Sequence, residues 1–239
     1  MAIRLKWLLV AAVSVLMAAC SGPYAQEFVF HDTFESDLQD WETGFADLPA
    51  DYDQEIFMLD SGWSKLPSGL DGQALYLSGN NASSDLFMYA QKHITGLKPE
   101  STYRVQFSVE LASSTPAGMV GIGSSPGESV YVKAGAVDFG PDLVKDSTDW
   151  LRINIDKGNQ ASEGEDMINL GTLANPNLDL ETFTGEEYAL MTLTNEGMPF
   201  EVNSDEEGEI WVLVGADSGF AGAATVFYNS IAITLTEVR

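Results

Sequence analysis

The chain has 239 residues, with 11 Lys plus Arg against 36 Asp plus Glu, a formal charge of −25, two His and one Cys. A surface this acidic repels nucleic acid and anionic lipid headgroups. One Cys allows no intrachain disulfide, and so little Cys and His excludes a clustered zinc site.

Arg4 and Lys6 precede an uncharged apolar run over residues 7–17, which ends in Ala18-Ala19-Cys20. That is the three-part layout of a secretory signal, and the run is too short to cross a bilayer as a stable helix. The reading divides the chain into a signal peptide over 1–19, a short tether over 20–26 and one domain over 27–239. Removing the signal takes away only Arg4 and Lys6, leaving nine cations against 36 acids, or −27. Leu16-Met17-Ala18-Ala19-Cys20 resembles the lipobox of bacterial lipoproteins, with Met17 where Leu is usual. The resemblance implies that Cys20 is lipidated, and Ser21 after it is compatible with sorting to an outer membrane. The expected location is therefore the cell envelope, with the membrane touched through the lipid anchor alone.

Beyond the tether, apolar and polar residues alternate in short blocks, the mark of strands with one buried face. In chain order these are residues 27–31, 55–59, 74–77, 86–94, 101–111, 130–134, 150–155, 188–193, 210–214 and 225–235. In 101–111, Tyr103, Val105, Phe107, Val109 and Leu111 share one face, and Arg104, Gln106, Ser108 and Glu110 share the other. Turn formers separate the blocks, as in Leu97-Lys98-Pro99-Glu100, Asn195-Glu196-Gly197 and Asp205-Glu206-Glu207-Gly208. Residues 158–183 read as a long loop with one short strand near 167–173. No window shows a helical stripe, so the expected fold is all-β, a two-sheet antiparallel β-sandwich.

Three segments resemble the jelly-roll carbohydrate-binding modules and their galactose-binding-like relatives. They are Phe30-His31-Asp32-Thr33-Phe34-Glu35 with Trp41 beyond it, the lead-in Leu97-Lys98-Pro99 to Tyr103-Arg104-Val105, and the closing run 226–235. They cover about a fifth of the chain. The resemblance implies a jelly-roll-like sandwich that binds a carbohydrate or other extracellular ligand, and a structural Ca²⁺ near Asp32 and Glu35. Asn229 stands where that family commonly has Asp.

Catalytic signatures are sparse. His31 and His93 both fall in strand blocks, and no Gly-x-Ser-x-Gly elbow is present. Gly121-Ile122-Gly123 leads into Ser124, Ser125 and Pro126 without a helix to cradle phosphate. The reading is therefore a binding module without catalysis. A protein–protein or structural role at the envelope is the first alternative, and hydrolysis or lyase chemistry by paired carboxylates is the second. Exposed flat aromatics beside amides and charges are what sugar binding needs. Trp63, Phe220, Asp60, Asp217, Asn80, Asn81 and Lys133 form the candidate ligand set, with loop-adjacent Trp41 and Tyr52 as further aromatics. Lys133 enters because it interrupts an apolar strand. Asp60-Ser61-Gly62-Trp63 and Asp217-Ser218-Gly219-Phe220 repeat one pattern, each at the end of a strand-like run. A row of solvent-facing aromatics would favour sugar, whereas a buried acid with a raised pKa in a cleft would favour an enzyme.

Overall fold

The computed structural model describes residues 25–121 and 124–238. The signal segment and Cys20 lie outside these residues. In chain order the elements are β1 (Glu27–Asp32), β2 (Glu42–Ala46), β3 (Leu48–Pro49), α1 (Gln54–Phe57), β4 (Asp60–Lys65), β5 (Gln73–Asn80), β6 (Leu86–Ile94), β7 (Thr102–Ser113) and β8 (Thr115–Pro116). They continue with β9 (Val130–Val137), β10 (Leu143–Lys145), β11 (Trp150–Ile153), β12 (Met167–Thr172), β13 (Ala174–Asn175), β14 (Ala189–Thr194), β15 (Glu201–Asn203), β16 (Ile210–Ser218) and β17 (Ala223–Glu237).

Two antiparallel sheets form the sandwich. One runs β14-β7-β17-β5-β4, with β1 paired to β17 and β15 to β7; the other runs β12-β9-β16-β6-β2. The chain alternates between them: β5 lies in the first, β6 in the second, β7 in the first, β9 in the second, β16 in the second and β17 in the first. This is a two-sheet antiparallel β-sandwich, as the alternation in the sequence predicts, and a jelly-roll-like one, as the resemblance implies. Between the sheets lies the core, with Leu75, Leu77, Phe107, Val109, Tyr228 and Ile231 from one side and Met88, Val132, Val212 and Val214 from the other. Burial of each such side chain stabilises the fold by about 1.5–3 kcal/mol.

Two departures from the alternation have local causes. The block 55–59 is not a strand: Asp53 caps α1 by accepting a hydrogen bond from the Glu55 amide, and Met58 closes the helix in a left-handed conformation. Phe57 and Leu59 turn into the core, leaving Ile56 and Met58 exposed. β2 and β4 are the outermost strands of the two sheets, and their Gly, Ser and Thr content hides their period. Thr43 of β2 and Ser61 of β4 join hydroxyls at 2.8 Å across the side of the sandwich.

The outer face of the five-stranded sheet is not open. Residues 138–166 fold back across it; within them β10 pairs β11, and β11 pairs β3. A second apolar cluster lies beneath, in which Phe87, Tyr89, Val137, Met167 and Leu213 meet Ile153. Close approach fixes Gly at two positions. A Cβ at Gly135 would lie 1.9 Å from the Asp166 carbonyl oxygen of the covering segment, and one at Gly44 would lie 2.4 Å from the Tyr89 ring.

Candidate functional site

The predicted ligand residues fall into three separate places. Lys133 and Asp217 meet on the covered face, where both are fully buried with Lys133 Nζ 3.1 Å from Asp217 Oδ2. The period-two phase of β9 and β16 sends both outward, but residues 138–166 seal them from solvent, so neither presents a ligand-facing group. Lys133 also donates to the carbonyls of Lys157 at 2.7 Å and Ser162 at 2.8 Å. A cation inside an apolar strand is thus a fastener for the covering segment.

Asn81 is buried as well. Its amide nitrogen donates to the Ser218 and Phe220 carbonyls, and its oxygen accepts from the Asp85 and Leu86 amides. This pins the loop before β6 to the end of β16 and leaves no atom for a ligand. Phe220 packs against the core, and Asn80 donates to the Ile56 carbonyl at 2.8 Å. Trp41 is buried with its indole N–H on Asp32 at 2.8 Å, and Tyr52 packs edge-on to Phe57.

Asp32, one of the two carboxylates expected near calcium, has protein partners of its own. Its Oδ2 accepts from both Trp41 and Lys92, the latter at 2.7 Å. Among the described residues, no group of three or more His, Cys, Asp or Glu side chains is arranged to hold a metal ion, with Glu35 or without it. A cation and an indole thus already occupy this oxygen of Asp32. Asn203 to Gly208 form an acidic turn in which Asp205 accepts from the Glu207 and Glu209 amides.

The Asp-Ser-Gly repeat does not converge, because Asp217 is buried on one sheet and Asp60 is exposed on the other. Trp63 is 44% exposed at the lateral edge of the sandwich, and its indole N–H donates to the Phe34 carbonyl. Register places Trp63 opposite Leu75, on the core side of β4, and Gly62 opposite Tyr76 on the outer side. Trp63 and Asp60 therefore face different ways.

Asp60 belongs instead to a group that the sequence reading missed. On the outer face of the seven-stranded sheet, Tyr76 lies 6.0 Å from Phe227, and Phe227 lies 5.7 Å from Tyr188. All three rings are half-buried. The Tyr76 hydroxyl donates to Asp60 at 3.0 Å, and that carboxylate, followed by burial, raises the phenol pKa. Ser78 and Thr225 bond each other nearby, and Asn229 donates to Glu110 along the same face. The signal was present: Leu75 and Leu77 point inward, as do Val226 and Tyr228, so Tyr76 and Phe227 must point out.

A second polar site opens beside the covering segment. Lys157 bridges Asp217 at 2.9 Å and Asp47 at 2.8 Å, and Arg152 Nη1 reaches Asp47 at 2.6 Å and Asp85 at 3.3 Å. Above them lies a cleft of about 190 Å³ lined by Asp47, Asp85, Arg152, Asp156 and Lys157 among others. Burial raises the Asp85 pKa, and the Asp47 and Asp217 carboxylates add to the rise. Burial opposes the charge on Lys157, yet Asp217 and Asp47 outweigh it and hold the ammonium above its ordinary value. Lys133, fully buried and in contact with Asp217, is pulled down by burial.

Asp146 completes the network from the surface, within 3.4 Å of Arg152. Hydrogen bonds from the Thr148 hydroxyl and the Trp150 amide hold its pKa at about 2. Because the folded value lies below the unfolded one, this carboxylate stabilises the turn above the unfolded pKa. The contribution is expected to disappear as pH falls from about 4 through about 2, and a side-chain carboxyl NMR titration that put Asp146 near 3.8 would contradict it.

No family model matches this chain, and neither does any curated protein. Solved structures with similarity include the CBM22-1 xylan-binding domain of Paenibacillus barcinonensis Xyn10C, at 11% identity over 88% of this chain and 95% of that one, TM-score 0.39. The module TmCBM27, described for specific mannan recognition, is similar at 12% identity over 90% and 99%, TM-score 0.37. The enzymatically active domain of bacteriophage CBA120 tailspike protein 4 is similar at 12% identity over 84% of this chain, TM-score 0.35; the chain spans 20% of that structure's length.

Proposed function

We propose that this protein is an extracytoplasmic lipoprotein, anchored through Cys20 at the outer membrane, whose β-sandwich binds carbohydrate without transforming it. The observation that carries the binding role is the Tyr76–Phe227–Tyr188 row with Asp60 hydrogen-bonded at one end. Aromatic faces take up the apolar faces of sugar rings, while carboxylates, amides and hydroxyls around them meet the hydroxyl groups. The row lies on the outer face of the seven-stranded sheet, where Phe227 and Tyr188 pack against the apolar cluster of Leu66, Ala74 and Ala112 and remain half-buried, and the outer face of the other sheet is filled by residues 138–166. The opening, central and closing segments that resemble carbohydrate-binding modules form β1, β7 and β17 of one sheet, the sheet that carries this row.

The test is a glycan-array screen of the full chain, run in calcium and again in chelator. Selective glycan binding is expected, with Tyr76→Ala lowering affinity about tenfold, in line with the loss of one stacking contact and its hydrogen bond. Binding to no glycan by folded protein would overturn the proposal, and retention of full affinity in Tyr76→Ala would move the site away from the row. Envelope location is tested by globomycin-type inhibition of lipoprotein processing, which should leave a precursor larger by the leader; a Cys20→Ala variant that still fractionates with membranes would contradict the anchor.

One observation favours a second reading. Asp85 is an acid of raised pKa in a cleft, next to Asp47, as a carboxylate-based glycosidase requires. The Arg152 guanidinium stands between those carboxyls, however, in the space a glycosidic oxygen would need. Release of reducing ends from a bound glycan, abolished by Asp85→Asn, would establish catalysis in place of simple binding.

A further inference from the structure

The cleft over Asp47 and Asp85 shares no residue with the aromatic row and has a chemistry of its own. Three lining carboxylates, Asp47, Asp85 and Asp156, face two cations, Arg152 and Lys157. Asp47 is 3% exposed, so it forms the floor and not the rim. Asp85 Oδ1 is buried and has no hydrogen-bond partner among the described residues, while its Oδ2 faces Arg152. A buried acceptor left without a donor calls for a missing partner.

We propose that this cleft is a second ligand site and that it takes the protonated primary amine of an amino sugar. The site has surplus negative charge and an unused acceptor, and an ammonium group supplies both a positive charge and three N–H donors. An anion would meet the surplus of carboxylates and the protein's overall −25. The remaining groups suit the rest of a sugar ring, since Arg152 donates to hydroxyl oxygens and Asp156 accepts from hydroxyl hydrogens, while Lys157 is already directed to Asp47, Asp217 and the Gly158 carbonyl. A volume of about 190 Å³ equals about six waters, which is room for one ring and not for a chain. Asp47 acts on both sides of the lining: it helps hold Lys157 and Arg152 above their ordinary values, and it adds to the rise that burial causes at Asp85.

The inference goes beyond the neutral-glycan reading and stands on different residues. Isothermal titration of the full chain with the β-1,4 glucosamine trimer, its N-acetylated counterpart and trilysine separates the outcomes. The glucosamine trimer is expected to bind at least about tenfold more tightly than the N-acetylated one, and Asp85→Asn is expected to remove that difference. Asp156→Asn, at the exposed rim, should weaken the glucosamine trimer without touching the buried pairs, and it keeps the test open where Asp85→Asn fails to fold. Equal affinity for the two trimers, or undiminished discrimination in a folded Asp85→Asn or Asp156→Asn protein, would overturn the proposal. Trilysine binding as tightly as glucosamine would overturn the sugar part of it. Tyr76→Ala should leave the amine preference intact, so failure here and failure of the aromatic row are read from different variants.

Discussion

Asp217→Ala is expected to cost about 3–5 kcal/mol of stability, the usual result of removing one partner from a buried ion pair. Asp217 is fully buried, and its Oδ2 accepts from Lys133, Lys157 and the Gln160 amide. Truncation leaves Lys133 fully buried with only carbonyl oxygens around its ammonium, and it removes one of the two carboxylates that hold Lys157 charged. The loss should appear in urea denaturation as a lower midpoint with an unchanged slope. A Lys133→Met, Asp217→Asn double variant should lose less than the two single changes together, because each single change strands a charge that the other removes. A cost below about 1 kcal/mol for Asp217→Ala would mean that the covering segment holds by apolar contact alone.

Asn81→Ala is expected to cost about 3 kcal/mol or more. Its side chain makes hydrogen bonds of 2.6 and 3.0 Å to the Ser218 and Phe220 carbonyls, and it accepts from the Asp85 and Leu86 amides at 3.0 and 3.1 Å. Each backbone group left unsatisfied in a buried setting carries a penalty of about 1–3 kcal/mol, which partial access of water reduces for some of the four. The local signature is faster amide hydrogen exchange at Asp85 and Leu86, with the core amides of β7 little changed. Asn81→Asp is expected to be worse, since it exchanges two donors for a negative charge facing two carbonyl oxygens. Unchanged exchange at Leu86 would show that the loop before β6 is held by other contacts.

Asn81 also illustrates where the sequence could be read and where it could not. Strands such as β7 and β17 were legible because period-two alternation directly reflects a sheet with one buried face. α1 was not, since four residues of helix leave no stripe and the Asp53 cap looks like any turn-forming Asp. Lys133 carried a true signal, a cation in an apolar strand, but the sequence could not say whether solvent, a ligand or an acid would meet it. Its partners come from β16 and from residues 157–162, and only the tertiary fold brings them there. The same holds for Asp32, whose partners are Trp41 and Lys92. The aromatic row was within reach: the inward phase of Leu75 and Leu77 dictates an outward Tyr76, and exposure of aromatics by strand phase is a better guide than proximity to loops.

The pairing of β1 with β17 sets how far the row can reach. Glu27 lies opposite Thr236, and the Glu237 amide donates to the Gln26 carbonyl, so the tether leaves the sandwich beside the far end of β17. Phe227 sits ten residues back along that strand, and at about 3.3 Å per residue the aromatic row stands roughly 30 Å from the tether's point of exit. Were it fixed to a lipid through Cys20, as we propose, the domain would act as a spacer that holds the aromatic row clear of the headgroups.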